Sequence, residues 1–232
     1  AAAGADVIAF PGDVRDEEAV ISSILAARPH FLIHLAAPVD VRRDPALAPL
    51  MDAVVVGGAR AVRQGLRRLH DAGPPAALVL VGTCEEYGTI PAPFAESDTP
   101  SAPVSPYAAA KLRATEEALA DARTGLSIVV ARPFLTYGPG QAGPQLVPTA
   151  IRAALGGVAF PMTDGLQTRE LNYVDDTVAG LLACAVTPAA AGRVINVGGG
   201  AELPVVELVR AIYAAVGAPQ SLEGDPQLRR PR

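Results

Sequence analysis

The residues with the clearest chemical potential are Tyr107 and Lys111, four positions apart in the segment Ser-Pro-Tyr-Ala-Ala-Ala-Lys. Ser105 is a favourable helix N-cap and Pro106 suits the first helical position, so a helix is predicted to begin here. Residues four apart share one helix face, and a nearby cation lowers the pKa of a phenol from its usual value near ~10. The pair therefore predicts a proton-transfer device, although two common helix-surface residues at this spacing are an equally open interpretation.

Composition limits the classes to which the chain can belong. Its 232 residues are 50% hydrophobic and 19% charged, which suits one large α/β domain or one domain with a small appendage. The net charge of −5, with no basic run before Arg229, argues against a nucleic-acid surface. No apolar stretch reaches the ~20 residues of a membrane helix, and the first residues do not resemble a signal peptide. Cys84 and Cys184 lack metal or redox spacing, which predicts reduced thiols, no metal site and a cytoplasmic protein.

Short apolar runs alternate with longer helical patterns. The runs that predict strands are Asp6–Phe10, Phe31–Leu35, Ala77–Val81, Leu126–Ala131 and Arg193–Val197. The segments that predict helices are Asp16–Ala27, Pro45–Asp71, Pro106–Ala122, Gln145–Leu155, Asp176–Val186 and Pro204–Val216. This alternation predicts an α/β fold with a doubly wound parallel sheet. Ligands of such sheets bind beyond the carboxyl ends of the strands, so the residues that follow each strand form the candidate site.

Small and polar residues follow several of these strands. Ala36, Ala37 and Gly82 would let a flat ligand lie against the backbone. Thr83 offers a hydroxyl to a substrate oxygen, and with Tyr107 and Lys111 it would form a hydroxyl–phenol–ammonium triad.

Other polar residues near the strand ends have ordinary structural interpretations. We expect His34 to be a satisfied or edge histidine, Cys84 to be a small packed residue, and Glu86 and Asp98 to be solvated. Asp13 and Asp16 are either turn and N-cap residues or ligand contacts.

Seven motifs, in order along the chain, resemble the extended short-chain dehydrogenase/reductase superfamily, within it the nucleotide-sugar epimerase/dehydratase branch. The matching segments are Gly-Asp-Val-Arg-Asp (12–16), His-Leu-Ala-Ala (34–37), Gly-Thr-x-x-x-Tyr-Gly (82–88), Tyr-x-x-x-Lys (107–111), Arg-Pro-Phe-x-x-Tyr-Gly-Pro-Gly-Gln (132–141), Gln-Thr-Arg-Glu-Leu-Asn-Tyr-Val-Asp-Asp (167–176) and Ile-Asn-Val-Gly (195–198). The resemblance implies a Rossmann-like fold, NAD or NADP as cofactor, and a nucleotide-linked hexose (a dTDP-, UDP-, GDP- or CDP-sugar) that undergoes redox at a ring carbon, with C4 as the expected position.

The resemblance also assigns roles to residues. For catalysis, Thr83 would hydrogen-bond the reacting sugar oxygen, Tyr107 would be the acid/base, and Lys111 would hold the nicotinamide ribose and keep the pKa of Tyr107 low. For the cofactor, Asp13 and Val14 would contact the adenine, and further contacts would come from Leu35, Ala36, Ala37 and Pro133. For the substrate, Arg169 would bind the diphosphate and Arg230 a nucleotide phosphate. Glu85 would either act on the hexose or be a solvated carboxylate.

The resemblance has departures. The family's glycine fingerprint, expected before Asp6–Phe10 in a βαβ unit of at least ~30 residues, is absent, and the family continues beyond position 232. Apolar Val54 and Leu135 stand where the family often has Asn, and Leu135 favours a 4-keto-sugar reductase over a UDP-glucose epimerase. A literal Gly-x-Gly-x-x-Gly at 138–143 is not the fingerprint, because residues 133–137 separate it from the preceding predicted strand, and Pro139 and Pro144 lack amide donors.

The predicted organisation is therefore a Rossmann remainder over residues 1–133 and a small, interwoven substrate-binding region over 134–232. The resemblance also implies a homodimer, formed through the Tyr107 helix and the helix within Pro45–Asp71. The first functional hypothesis is an epimerase, dehydratase or ketoreductase. The second is a truncated or non-catalytic relative that binds the dinucleotide poorly, because the helix N-terminus that would hold the pyrophosphate is missing. A purely structural module would leave Thr83, Tyr107 and Lys111 unexplained.

Overall fold

Strands and helices alternate through residues 7–72 and 76–219, the part of the chain that the computed structural model describes. The strands are β1 (Phe31–His34), β2 (Ala77–Val81), β3 (Ile128–Pro133), β4 (Leu135–Tyr137), β5 (Thr168–Tyr173), β6 (Val194–Val197) and β7 (Glu202–Pro204). The α-helices are α1 (Glu17–Ala27), α2 (Ala48–Met51), α3 (Gly57–Ala72), α4 (Pro106–Ala122), α5 (Leu146–Leu155), α6 (Val174–Val186) and α7 (Val205–Val216).

The larger sheet has the strand order β1-β2-β3-β6. β2 runs parallel to both of its neighbours, with Leu78 opposite Leu32 on one side and Ile128 on the other. Leu78 and Ile128 belong to one hydrophobic cluster with residues of α3 and α4, and Val79, whose side chain points to the other face, is also fully buried. Burial on both faces explains why these strands are uninterrupted apolar runs, and it confirms the predicted α/β class with a parallel sheet.

The chain divides into two compact units. One comprises Ala1–Arg132 with Gly180–Asn196, and the other comprises Pro133–Ala179 with Val197–Arg232. The second unit contains a three-stranded sheet in which β5 pairs in parallel with β4 and antiparallel with β7. Its helices α5 and α7 pack together in a hydrophobic cluster of their own.

The strand predicted at Asp6–Phe10 is wrong for the residues that the structure describes. Residues 7–10 have no regular structure, and the side chains of Val7 and Ile8 are 89% and 76% exposed. In the doubly wound order 3-2-1-4-5-6, strands consecutive in sequence need not be neighbours in the sheet. Residues 7–10 pair with none of the described strands, so they form no strand however apolar they are.

The other predicted elements are confirmed, most with ends shifted by one or two residues. Ala77–Val81 and Pro106–Ala122 match β2 and α4 residue for residue. The sequence reading missed β4, β5 and β7, because these strands are short and half-exposed and β5 carries polar residues. Strands of this kind lack the long apolar run on which the prediction relied.

The long helical run from Pro45 to Ala72 is irregular in its middle, where Asp52–Val56 forms a π-helical turn between α2 and α3. By length and composition this run could cross a membrane, so the expectation that no stretch reaches that length was too strict. Met51, Val55 and Leu66 of the same run lie in the main hydrophobic cluster, and a core helix meets the same criterion.

Candidate active site

The carboxyl end of β2 and the first turns of α4 bring the predicted triad together. The chain leaves β2 at Val81, passes Gly82 and starts a short 3₁₀-helix, Cys84–Tyr87, for which Thr83 is the N-cap. The α4 helix begins as its sequence predicts, since the Ser105 hydroxyl accepts a hydrogen bond from the Ala108 amide at 3.1 Å.

The three triad side chains are buried and in contact with their surroundings. Thr83, Tyr107 and Lys111 are 8%, 6% and 5% exposed. The Thr83 hydroxyl accepts from the Glu85 amide at 3.3 Å, and it lies close enough to the Tyr107 phenol to lower the pKa of that group. The Lys111 ammonium donates to the Val81 carbonyl at 2.6 Å and lies 5.9 Å from the centroid of the Tyr107 ring. The spacing of Tyr107 and Lys111 therefore places phenol, hydroxyl and ammonium at one strand end.

The pKa of Tyr107 does not follow the expectation from the sequence. Burial raises the pKa of Tyr107 to about 12, and the negative charges of Glu86, Glu85 and Cys84 add to that rise. The Thr83 hydroxyl acts in the opposite direction, but its effect is the smallest of these. The prediction that Lys111 keeps this pKa low is wrong for the chain by itself, because burial and the acidic neighbours both disfavour the phenolate.

Burial also lowers the pKa of two basic groups of the site, Lys111 of the triad and the neighbouring His34. It lowers the pKa of Lys111 to about 8, against an opposing contribution from Glu86. It lowers the pKa of His34 to about 4, with the Lys111 charge adding to the effect. His34 is 7% exposed at the end of β1, so it is a buried neutral histidine at neutral pH rather than an edge residue.

The expectation that Glu86 is solvated is wrong: its side chain is 0% exposed. One carboxylate oxygen, Oε1, accepts from the Thr83 amide at 2.9 Å. The other, Oε2, accepts from the Thr115 hydroxyl at 2.9 Å and from the Arg132 guanidinium at 2.8–2.9 Å. The Thr-x-x-Glu spacing of a capping box is the sequence signal that could have identified this arrangement.

Residues predicted to hold the cofactor lie at two places in the first unit. After β1, Leu35 is 63% exposed, Ala36 is exposed and Ala37 is half-buried, so apolar surface is available at the strand end. In the loop before α1, the Asp13 carboxylate binds the Arg15 guanidinium, which lowers the pKa of Asp13 to about 2, and Val14 packs against the Cα of Gly58. Asp16 is the N-cap of α1.

These residues fit one end of a dinucleotide. An ammonium has three donors, and within the described chain Lys111 directs one of them to Val81, so it has donors left for ribose hydroxyls. The exposed apolar surface of Leu35 and Ala36 suits a flat ring. For the pyrophosphate, no strand-to-helix turn of the first unit carries a glycine fingerprint among the residues described.

The remaining predicted site residues lie in the second unit, apart from Glu85, which is half-buried in the turn after Thr83. Pro133 is the half-buried last residue of β3, and Arg169 is an exposed residue of β5 whose guanidinium donates to the Thr168 carbonyl at 2.7 Å. Arg230 lies outside the described residues.

The glycine-rich segment at 138–143 directly follows β4, so the sequence argument that residues 133–137 separate it from a strand was wrong. The segment still does not open a helix with its own amides, because α5 begins at Leu146, three residues beyond Gly143. Across the described residues, no cluster of three or more His, Cys, Asp or Glu side chains could hold a metal ion, and Cys84 and Cys184 form no disulfide.

The chain matches the NAD dependent epimerase/dehydratase family over residues 2–198 and belongs to that family. It is 38% identical over 192 residues to a dTDP-glucose 4,6-dehydratase of Streptomyces griseus, covering 81% of this chain and 56% of that protein. It is 35% identical over 228 residues to a UDP-glucose 4-epimerase of Mycolicibacterium smegmatis, covering 93% and 71%.

Solved structures show the same fold. The dTDP-glucose 4,6-dehydratase of Bacillus anthracis str. Ames, solved in complex with NAD, superposes with a TM-score of 0.80 at 28% identity, covering 92% of this chain and 66% of that one. The chain spans 56% to 64% of the length of the dTDP-glucose 4,6-dehydratases of Streptomyces griseus and Actinoplanes.

The buried ammonium of Lys111 predicts a pH dependence of stability. Its pKa in the folded chain is about 8, below the 10.5 of an exposed lysine, so the unfolded chain binds more protons between these values. The free energy of unfolding should therefore rise with pH through this window, by up to about 1.4 kcal/mol per pH unit, relative to a Lys111→Met variant. Urea unfolding of both proteins from pH 7.5 to 9.5 measures the difference, and parallel curves would contradict the prediction.

Proposed function

We propose that this chain forms the catalytic part of an NAD-dependent enzyme that changes the oxidation state of a ring carbon, C4, in a nucleotide-linked hexose. The observation that carries the proposal is the burial of Thr83, Tyr107 and Lys111 at the end of β2, with the Lys111 ammonium 5.9 Å from the centroid of the Tyr107 ring. The names of the two relatives support C4, since a 4,6-dehydratase and a 4-epimerase share chemistry at position 4.

In this proposal Tyr107 moves the proton of the reacting sugar hydroxyl, and Thr83 hydrogen-bonds the oxygen of that hydroxyl. With a pKa of about 12, the phenol is protonated at neutral pH and can act as an acid. To act as a base it needs added positive charge close by, and the Lys111 ammonium is charged below pH 8. Leu35, Ala36 and Ala37 would bind the flat end of NAD, Lys111 its ribose, and Asp13 and Val14 its adenine. NAD, when bound, supplies the hydride acceptor and donor.

The substrate would be a dTDP-, UDP-, GDP- or CDP-hexose. Arg169, exposed on β5, would bind its diphosphate, a task for which a planar fork of donors is well suited. Glu85 would act on the hexose if the reaction is a dehydration. A 4-ketoreductase using NADP is kept as an alternative on the basis of Leu135.

A second candidate function is that of a relative that does not bind a dinucleotide productively. This reading concerns the 232 residues alone, since among those described no strand-to-helix turn of the first unit carries a glycine fingerprint for a pyrophosphate. We further propose that the protein is cytoplasmic.

A Tyr107→Phe variant tests the acid/base role. Turnover of a dTDP-4-keto-6-deoxyhexose or dTDP-glucose should fall about 10²- to 10⁴-fold in kcat, because phenylalanine cannot transfer a proton. Tyr213→Phe is the matched control: it removes a phenol hydroxyl that donates to the Val158 carbonyl in the second unit, and should leave kcat unchanged. An active Tyr107→Phe enzyme, or a full-length wild-type protein without turnover on any of the four nucleotide sugars, would reject the proposal.

Isothermal titration distinguishes the two candidate functions. We expect the 232-residue chain to bind NAD weakly, because its described residues can hold the nicotinamide end but offer no glycine turn to the pyrophosphate. Tight binding of NAD, lost in Lys111→Met, would contradict this expectation and reject the second function, while turnover by a full-length protein tests the first function separately.

We propose a homodimer formed through α4 and the Pro45–Ala72 helical run. In one copy α3 and α4 are already held together by ion pairs of Arg63 with Glu117 and Asp121, so they form a firm surface. Leu50, 44% exposed, lies on the same helical run. Light scattering should give twice the 23.7 kDa chain mass, and a monomer would count against the proposal.

A further inference from the structure

The Glu86 carboxylate is the most fully buried charged group beside the candidate active site. It is surrounded by groups from three elements: the Thr83 amide after β2, the Thr115 hydroxyl of α4 and the Arg132 guanidinium of β3. Both of its oxygens are therefore occupied by hydrogen bonds. Arg132 is itself 2% exposed, and its guanidinium carbon lies 4.5 Å from the centroid of the Tyr87 ring.

Packing at Gly82 shows how closely the carboxylate is fitted to the backbone. A Cβ at this position would lie 2.4 Å from Glu86 Oε1 and 3.4 Å from the Ala131 carbonyl oxygen. Hydrogen bonds pin the carboxylate, so it could not move aside without losing one of them. A glycine is therefore required at 82 for Glu86 Oε1 to reach the Thr83 amide.

Stability does not explain why a charged pair occupies this position. A buried ion pair contributes little more, and often less, than apolar side chains of similar volume, because both charges lose their hydration. The ion pair instead orients the backbone of the site. Glu86 Oε1 accepts a hydrogen bond from the amide of Thr83, the residue whose side chain lies beside Tyr107. A hydrophobic residue at 86 could fill the space but could not accept the Thr83 amide.

We propose that Glu86 is a positioning residue of the active site, one that fixes the Thr83 backbone through Oε1 so that the Thr83 hydroxyl is aimed at the Tyr107 phenol and the substrate oxygen. Glu86 does not touch the substrate in this proposal and acts through Thr83. The inference rests on the proposed function and adds to it a residue that the triad alone does not include.

Glu86 also affects the site electrostatically, which provides an independent readout. Its charge raises the pKa of both Tyr107 and Lys111. The other charged or titratable groups that face the triad are Glu85 and Cys84 from the same turn and His34 from the end of β1, while Arg132 from β3 pairs with Glu86 itself. Neutralising Glu86 should therefore lower the pKa of the Tyr107 phenol.

A double-mutant cycle of Glu86→Gln with Thr83→Ala tests the positioning role. In Glu86→Gln the single amide oxygen should face the two donors of Arg132, which leaves the amide nitrogen against the Thr83 N–H and removes that hydrogen bond. The variant should therefore lower kcat about 10²-fold, similar to the loss of one oriented hydrogen-bond donor, with KM little changed. Added to Thr83→Ala, it should cause no further loss, because its effect passes through the Thr83 hydroxyl. A residue with only a structural role would lower the amount of folded protein and add its effect in full, and that additive result would overturn the proposal.

A second variant covers the case in which Glu86→Gln leaves Arg132 unpaired and fails to fold. Gly82→Ala keeps every charge but displaces Oε1 from the Thr83 amide, and should give the same fall in kcat. Thr115→Val is the matched control, since it removes a hydrogen bond to Oε2 and leaves the Oε1 contact in place; its kcat should remain near wild type. Equal losses in Gly82→Ala and Thr115→Val would contradict a specific role for Oε1.

A measurement without turnover separates this inference from the proposed function. In protein with ¹³C-labelled tyrosine, the Tyr107 signal is assigned by its absence in Tyr107→Phe and titrated by NMR in wild type, Glu86→Gln and Thr115→Val. The Tyr107 pKa should fall in Glu86→Gln and stay in place in Thr115→Val. If the Tyr107 pKa falls in Glu86→Gln but the protein shows no turnover, the proposed function is rejected and the Glu86–Thr83–Tyr107 coupling is kept. If the Tyr107 pKa does not change and turnover is normal, only the inference about Glu86 is rejected.

Discussion

The ion pair of Glu86 with Arg132 is the interaction on which the arrangement of the site depends. A carboxylate with no exposure to solvent must have its charge and its lone pairs satisfied by the protein. Arg132 of β3, Thr115 of α4 and the amide after β2 meet that requirement together. Because these groups come from three elements, satisfying one buried carboxylate fixes the end of two strands and the helix that carries the candidate acid/base.

Burial also sets the electrostatics of the triad. It moves the pKa of Tyr107 up and that of Lys111 down, in each case toward the neutral form. A phenolate and an ammonium would attract each other as an ion pair. The low dielectric around Tyr107 and Lys111 nevertheless disfavours the charged form of each group. The ionisation of the phenol therefore depends on which charges enter the site with the cofactor and substrate, and not on the Tyr-x-x-x-Lys spacing by itself.

The elements predicted well from sequence were those with local signals. The α4 helix was predicted residue for residue because Ser105, Pro106 and an alanine-rich run agree, and β2 because a five-residue apolar run is buried on both faces. Asp6–Phe10 failed because a strand needs a neighbour, which local composition does not reveal. Strand β5 was missed because its residues are largely polar and lack the apolar run of a predicted strand. They form a strand because they pair with β4 and β7.

The sequence by itself determined the family-like order of motifs and the parallel α/β class. It also led to the prediction that Thr83, Tyr107 and Lys111 form one site, which rests on helical spacing, strand ends and the resemblance. Tertiary structure alone decided that Glu86 is buried and that the phenol pKa rises instead of falling. Both outcomes depend on how many polar groups from distant parts of the chain surround a side chain, and on how much water they exclude, neither of which a local residue pattern contains.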